Sequence, residues 1–255
     1  MNPLPKKKTI SVAGKTVEYV TSGNEGPVIV LINGAGVPIE GWYRVYSELE
    51  KLSAVFAYNR AGIGKSSKPT EPQTGGLLVE ILRASLLEVG FVPPFILVGH
   101  SFGGLIANLF ARTYPNEVAG VVFLDATAPE DVAVMATHET LLQRVLKQLH
   151  DRVFGVDAFD ERTHAHQTVA LMEQAPAFPN IPVVVVSGGK PFMPWLIPAL
   201  ALAARAEHQR RLSRLSPQGK QIVAEKSEHF PQLSEPAVVA EAVRDVLRSR
   251  SSVYV

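Results

Sequence analysis

The chain has 255 residues, 46% of them hydrophobic and 19% charged, with a formal net charge of +1 and no cysteine. That length and apolar content supply material for one sizeable core. The near balance of charge provides no basic stripe for nucleic acid, and the lack of cysteine excludes disulfides, thiolate metal sites and thiol nucleophiles together.

The opening MNPLPKKKTI carries no apolar leader region, and its Lys6–Lys8 run reads as a solvated tail. No apolar run reaches the ~18 residues of a membrane span, so a cytoplasmic protein without membrane association is expected. KTISVAG and KTVEYVTSG read as a hairpin turning at Ala13 and Gly14. VIVLI (28–32), AVFAY (54–58), FILV (95–98), VVFL (121–124) and VVVV (183–186) are continuously apolar, the pattern of parallel strands covered on both faces. QIVAEK adds a last short strand. YRVYSELEKL, GLLVEILRASLLEVG, the run after Ser101 and AVVAEAVRDVLRS have the period of crossover helices. The expected fold is therefore α/β, a mostly parallel eight-stranded sheet with helices on both faces.

The strand spacing breaks once. Roughly sixty residues separate VVFL from VVVV, so 127–179 is expected to form an inserted helical cap, leaving 1–126 and 180–255 as the core domain. TAPE at 127–130 reads as a capping box from Thr127 to Glu130 with Pro129 in the first turn. Leu141, Leu142, Val145, Leu146 and Leu149 then mark an amphipathic helix.

Gly99-His100-Ser101-Phe102-Gly103 lies between a strand and a helix, the context of a G-x-S-x-G nucleophile elbow. Such a turn strains its central residue and brings the flanking positions so close that side chains there would collide. The helix that follows aims its N-terminal amides at any oxyanion formed on the serine. A serine also needs a base. Of the seven histidines, His100 sits inside the elbow with its ring expected to face away, His138, His150, His164 and His166 fall in the insert, and His208 lies in a polar helical stretch. His229, in SEHFPQLSEP after the last strand, emerges at the carboxyl edge of the sheet together with Ser101. The His164/His166 pair reads as solvated surface rather than as a metal site.

GHSFGG, LINGAG, NRAGIGKSS and SEHF resemble the α/β-hydrolase superfamily, and the resemblance runs over nearly the whole chain. It implies the chain order nucleophile, acid, histidine, hence Ser101, an acid, and His229. In many members the acid follows the strand that here reads IPVVVVSGGKPF, where this chain offers Gly188, Gly189 and Lys190. The other position in the superfamily is one strand earlier, as in the dehalogenase-like branch, and Asp125 stands there in VVFLDATAPE. With Thr127 expected to cap the next helix, Asp125 is left for the acid role. Glu130, Asp131 and Glu228 are weaker candidates. The same resemblance makes the amides of Phe102 and Ala35 the oxyanion donors, with Asn33 where the family has a histidine and Gly34 leaving the backbone open to substrate. NRAGIGKSS ends like a phosphate-binding loop, but Asn59 occupies the position of that motif's first glycine, so the loop is read as structural.

The implied function is that of a serine hydrolase acting on a carboxylic ester or related acyl compound, with no metal or organic cofactor. A perhydrolase or cofactor-free haloperoxidase, a hydroxynitrile lyase, and a receptor of this fold with little turnover use the same constellation. Gly34, Trp42, Met135, Phe192, Met193 and Trp195 are expected pocket residues, which makes a small molecule with an apolar acyl or alkyl group the expected partner.

Overall fold

Strands rich in Val and Ile and lacking polar alternation must be covered on both faces, and the computed structural model shows how. It describes residues 4–23, 25–137, 160–191 and 199–251. His138, the expected helix over Leu141–Leu149, His150, Phe192, Met193 and Trp195 lie outside them, as does the side chain of Met135. The strands are β1 (Lys8–Val12), β2 (Lys15–Ser22), β3 (Ile29–Ile32), β4 (Val55–Tyr58), β5 (Phe95–His100), β6 (Val118–Leu124), β7 (Val183–Gly188) and β8 (Gly219–Ala224). The described helices are α1 (Tyr46–Leu49), α2 (Gly75–Glu88), α3 (Gly103–Thr113), α4 (Pro129–Thr137), α5 (Ala165–Gln174), α6 (Ala199–Ser213), α7 (Pro231–Ser234) and α8 (Pro236–Ser251).

The strands form one eight-stranded sheet in the order β1-β2-β4-β3-β5-β6-β7-β8. Only the pairings of β2, with β1 and with β4, are antiparallel. The β1–β2 hairpin turns at Ala13 (φ 48°) and Gly14 (φ 75°), where two successive positive φ values match the right-handed twist of the strands they join. Successive side chains point to opposite faces. Val30, Phe56, Leu97 and Phe123 therefore join Leu82, Leu86, Leu105 and Ile106 of α2 and α3 in one apolar layer. Leu31, Val55, Val98 and Val122 join Leu49, Val239 and Val243 of α1 and α8 in the other.

After β3 the chain steps to one side to form β4 and then returns to the other side for β5. The ends of β3 and β5 thus face away from their own connections and leave a crevice at the carboxyl edge, where sites form in open parallel sheets.

Two local expectations are corrected. YRVYSELEKL is helical only at Tyr46–Leu49 and is preceded by a 3₁₀ turn at Ile39–Trp42. Its buried side chains Ile39 and Trp42 stand three residues apart, the 3₁₀ period, and Val45, buried three residues further on, leads into α1. At the start of α4 the helix begins at Pro129, and Asp131 Oδ2 accepts from the Ala128 amide at 2.8 Å. The reach-back half of a capping box is present but shifted by one residue, because the Thr127 amide is committed to the carbonyl of Ser101 at 2.9 Å.

Among the described residues no helix is long and apolar enough to cross a membrane. In the first layer Phe56 is fully buried, with its ring 5.7 Å from that of Tyr19 and 5.9 Å from that of Tyr58. Phe56→Ala is expected to lower the unfolding free energy by about 3–5 kcal/mol, read from chemical denaturation, because the aromatic packing around the cavity cannot collapse freely.

Candidate active site

The elbow is built by close approach. A Cβ on Gly99 would come within 2.6 Å of the Gly103 carbonyl oxygen, and one on Gly103 would run into the carbonyl oxygens of Ile32 and Asn33, so neither position admits a side chain. Between them Ser101 sits at φ 50°, in the left-handed region. Its backbone is held from three sides: its amide donates to Leu124 O at 3.1 Å, and its carbonyl accepts from Gly104 and Thr127 at 2.9 Å each. Strain of this kind, about 1–3 kcal/mol, persists only where surrounding bonds determine the conformation.

The three side chains singled out from the sequence meet here. His229 Nε2 lies 3.0 Å from Ser101 Oγ, and His229 Nδ1 lies 2.6 Å from Asp125 Oδ2. With the proton assigned to Nδ1 by the carboxylate, Nε2 is the acceptor for the serine hydroxyl. Asp125 follows β6 at φ 37°, a second left-handed non-glycine residue, with its amide on Val186 O at 2.7 Å. Its Oδ1 accepts from the amide of Gly188 at 3.3 Å, so the β7 end that lacks a carboxylate of its own supplies a donor to the carboxylate of β6.

Sequence reasoning did not identify Arg205. This α6 residue donates from Nη2 to both the carbonyl and Oδ2 of Asp125, at 2.8 and 2.9 Å, and from Nη1 to Asp131 Oδ2 at 3.3 Å. Burial pushes the Asp125 carboxyl up, but the His229 hydrogen bond and the Arg205 charge outweigh it and hold the group below its ordinary value. Arg205 itself is drawn down by burial and raised more strongly by Asp125 and Asp131. Asp131 also meets His208 Nδ1 at 2.6 Å. Nothing in the spacing of the polar α6 segment distinguishes this arginine from its neighbours Arg210 and Arg211.

His100 faces away from the hydroxyl, as expected. Its Nε2 is 2.8 Å from the carbonyl of His229, and its ring lies 5.0 Å from that of His229 and 4.9 Å from that of Phe230. Burial, followed by the neighbouring His229, lowers its pKa to about 3, so the ring is neutral and Nε2–H donates to that carbonyl.

At the end of β3, Gly34 packs against Ser101 Cβ and the His100 ring. The amides of Ala35 and Phe102 donate to no protein acceptor among the described residues. Trp42 is fully buried in the layer with Ile39 and Leu49 and offers no exposed surface to a ligand. The arrangement couples an alcohol to an imidazole, and the imidazole to a carboxylate, beside unengaged backbone donors, which is the geometry that activates a serine for nucleophilic attack.

The model of the alpha/beta hydrolase family matches residues 29–242. An uncharacterized protein, YqjL, of Bacillus subtilis (strain 168) is 29% identical over 230 residues, covering 88% of this chain and 85% of that protein. A putative lipase from Acinetobacter baumannii AYE superposes with a TM-score of 0.70 at 19% identity, over 97% of this chain and 92% of its own. A thermophilic esterase from Thermogutta terrifontis superposes with a TM-score of 0.66 at 18% identity, over 96% and 99% respectively.

The titration of His100 sets an expectation for stability. The folded ring binds a proton less readily than the unfolded one, so its contribution is complete above pH 6.5 and is lost as the pH falls toward about 3. Denaturation midpoints between pH 7 and pH 4 are expected to fall more steeply for the wild type than for His100→Gln, which has no imidazole to titrate at this position.

Proposed function

The chain belongs to the alpha/beta hydrolase family, and from that premise we propose that it is a serine hydrolase that cleaves a carboxylic ester, or a closely related acyl bond, through an acyl-enzyme on Ser101. The observation that carries the reading is the unbroken run of hydrogen bonds from Ser101 Oγ through both nitrogens of His229 to Asp125. The putative lipase and the esterase among its fold neighbours support the choice of an ester bond. An acid placed after the sixth strand is the arrangement of the dehalogenase-like branch, while a serine in place of that branch's aspartate nucleophile argues against halide removal.

In the proposed reaction His229 Nε2 takes the hydroxyl proton as Ser101 Oγ attacks the acyl carbon. Asp125 keeps Nδ1 protonated and stabilises the imidazolium, and Arg205 helps to keep Asp125 ionised. The carbonyl oxygen becomes an oxyanion and takes hydrogen bonds from the amides of Ala35 and Phe102, each such donor being worth about 10²–10³ in rate. Collapse breaks the ester C–O bond, and the imidazolium returns its proton to the departing alkoxide. Water, deprotonated by His229, then attacks the acyl-enzyme and releases the carboxylic acid and free Ser101. Every proton and electron pair is handled by side chains and amides, so the reaction calls for no metal or organic cofactor.

Residues 127–179 are read as a cap over this edge, supported by the packing of α5 on α2 and α3 and by the reach of Glu161 to Arg60. The apolar content of KPFMPWLIP, together with Met135, supports a small substrate with an apolar acyl or alkyl group. The cysteine-free composition supports a cytoplasmic location.

Ser101→Ala is expected to abolish turnover of aryl esters while leaving the far-ultraviolet circular dichroism unchanged; retained turnover overturns the reading. Asp125→Asn is expected to lower kcat by about 10⁴, since the amide no longer enforces the tautomer.

A further inference from the structure

The loop after β4 holds most of its polar side chains in structural bonds. Asn59 accepts from the Ile39 amide at 2.8 Å and donates to Glu18 at 2.7 Å, and Ser66 and Ser67 accept from the amides of Glu18 and Thr16 at 2.9 and 2.8 Å. Arg60 is directed elsewhere. Its side chain is 3% exposed, Nη1 donates to Asn33 O at 2.8 Å, Nη2 donates to Gly34 O at 2.7 Å, and the guanidinium carbon lies 5.8 Å from the centre of the Phe102 ring. One buried cation thus touches the residues that precede the Ala35 amide and the residue that carries the other unengaged amide.

The Gly34 carbonyl and the Ala35 amide belong to a single planar, trans peptide unit, in which C=O and N–H point in opposite directions. A guanidinium holding the carbonyl therefore fixes the direction of the N–H. It also draws electron density toward the oxygen and makes the N–H a stronger donor. The Val37 amide donates to the same carbonyl at 3.2 Å and closes the turn.

The counter-charge comes from a distant part of the chain. Glu161, between β6 and β7, meets Arg60 in a two-pronged pair, Nε to Oε2 at 2.5 Å and Nη2 to Oε1 at 2.7 Å, with the carboxylate side chain 11% exposed. A planar fork can hold a carboxylate and two carbonyls in one arrangement, which a lysine ammonium cannot.

Building on the serine-hydrolase reading, we propose that Arg60 and Glu161 are positioning residues that orient the Ala35 N–H toward the oxyanion, so that the oxyanion site is completed only when the segment carrying Glu161 is docked. Arg60→Lys and Glu161→Gln are expected to lower kcat about 10²-fold with KM changed little, because a misdirected donor is lost from the transition state rather than from substrate binding. The inhibition constant of a trifluoromethyl ketone, whose adduct with Ser101 carries an oxyanion, is expected to rise by the same factor as kcat/KM falls. A merely structural role would leave that constant in step with KM instead.

The double variant Arg60→Met/Glu161→Leu, which removes the buried pair without stranding one charge, guards against misfolding as the cause. It is expected to melt cooperatively and to show the same loss in kcat. Wild-type kcat and inhibition constant in a folded double variant and in Arg60→Lys would overturn the inference while leaving the serine reading intact. Failure of a fluorophosphonate to label wild-type Ser101, together with absence of ester turnover, overturns the serine reading and this inference with it.

Discussion

At the end of β5 the backbone reverses so tightly that Gly99 and Gly103 are in contact, and α3 leaves directly over the end of β3. That close approach determines where everything else at the carboxyl edge can stand. It lifts Ser101 out of the sheet in a left-handed conformation, turns His100 back into the core, and puts the Phe102 amide beside the loop that follows β3. The reversal is possible because the neighbouring strand ends cooperate. Leu124 of β6 supplies an acceptor to the Ser101 amide, and Thr127 joins Gly104 in supplying a donor to its carbonyl, so the strained turn is satisfied by the next strand and the loop after it as well as by its own residues.

The second organising constraint is that charges removed from water here are paired. Asp125 is shared between His229 and Arg205, Asp131 between Arg205 and His208, and Glu161 faces Arg60. A buried ion pair is a weak source of net stability, whereas removing one member strands the other, so such pairs act chiefly to define geometry. Arg205 illustrates this. It joins α6 to the ends of β6 and α4 at once, and its position keeps Asp125 Oδ2 charged toward the imidazole. Around the elbow the one histidine that could have competed for a proton, His100, is neutralised by burial and used as a donor to the backbone of His229.

Much of the architecture was legible because it follows from local rules. Apolar runs without alternation marked strands covered on both faces, the hairpin turn at Ala13–Gly14 was visible in its residues, and Ser101 was visible because its motif is contiguous. The site was legible in part. His229 followed from its place after the last strand, and Asp125 from the acid positions that the resemblance to the α/β-hydrolase superfamily implies, the one after β7 lacking a carboxylate. Trp42, by contrast, reads from sequence equally as a pocket wall or as core, and the 3₁₀ turn that carries it aims it with Ile39 into the core. The start of α4 differed by one residue, since the Thr127 amide was already engaged by a carbonyl 26 positions away along the chain (127 − 101).

From the sequence alone came the fold class, the strand-helix succession and the serine elbow, because each is written in residues close together and governed by backbone sterics and hydrophobic period; His229, 128 positions from Ser101, followed from the strand succession, which brings both to one edge of the sheet. Tertiary structure alone decided that Arg205 meets Asp125 across 80 positions and that Arg60 meets Glu161 across 101. Ion pairing depends on distance in space, and the path that closes such a distance is set by the packing of the whole sheet. No spacing rule along the chain can encode it.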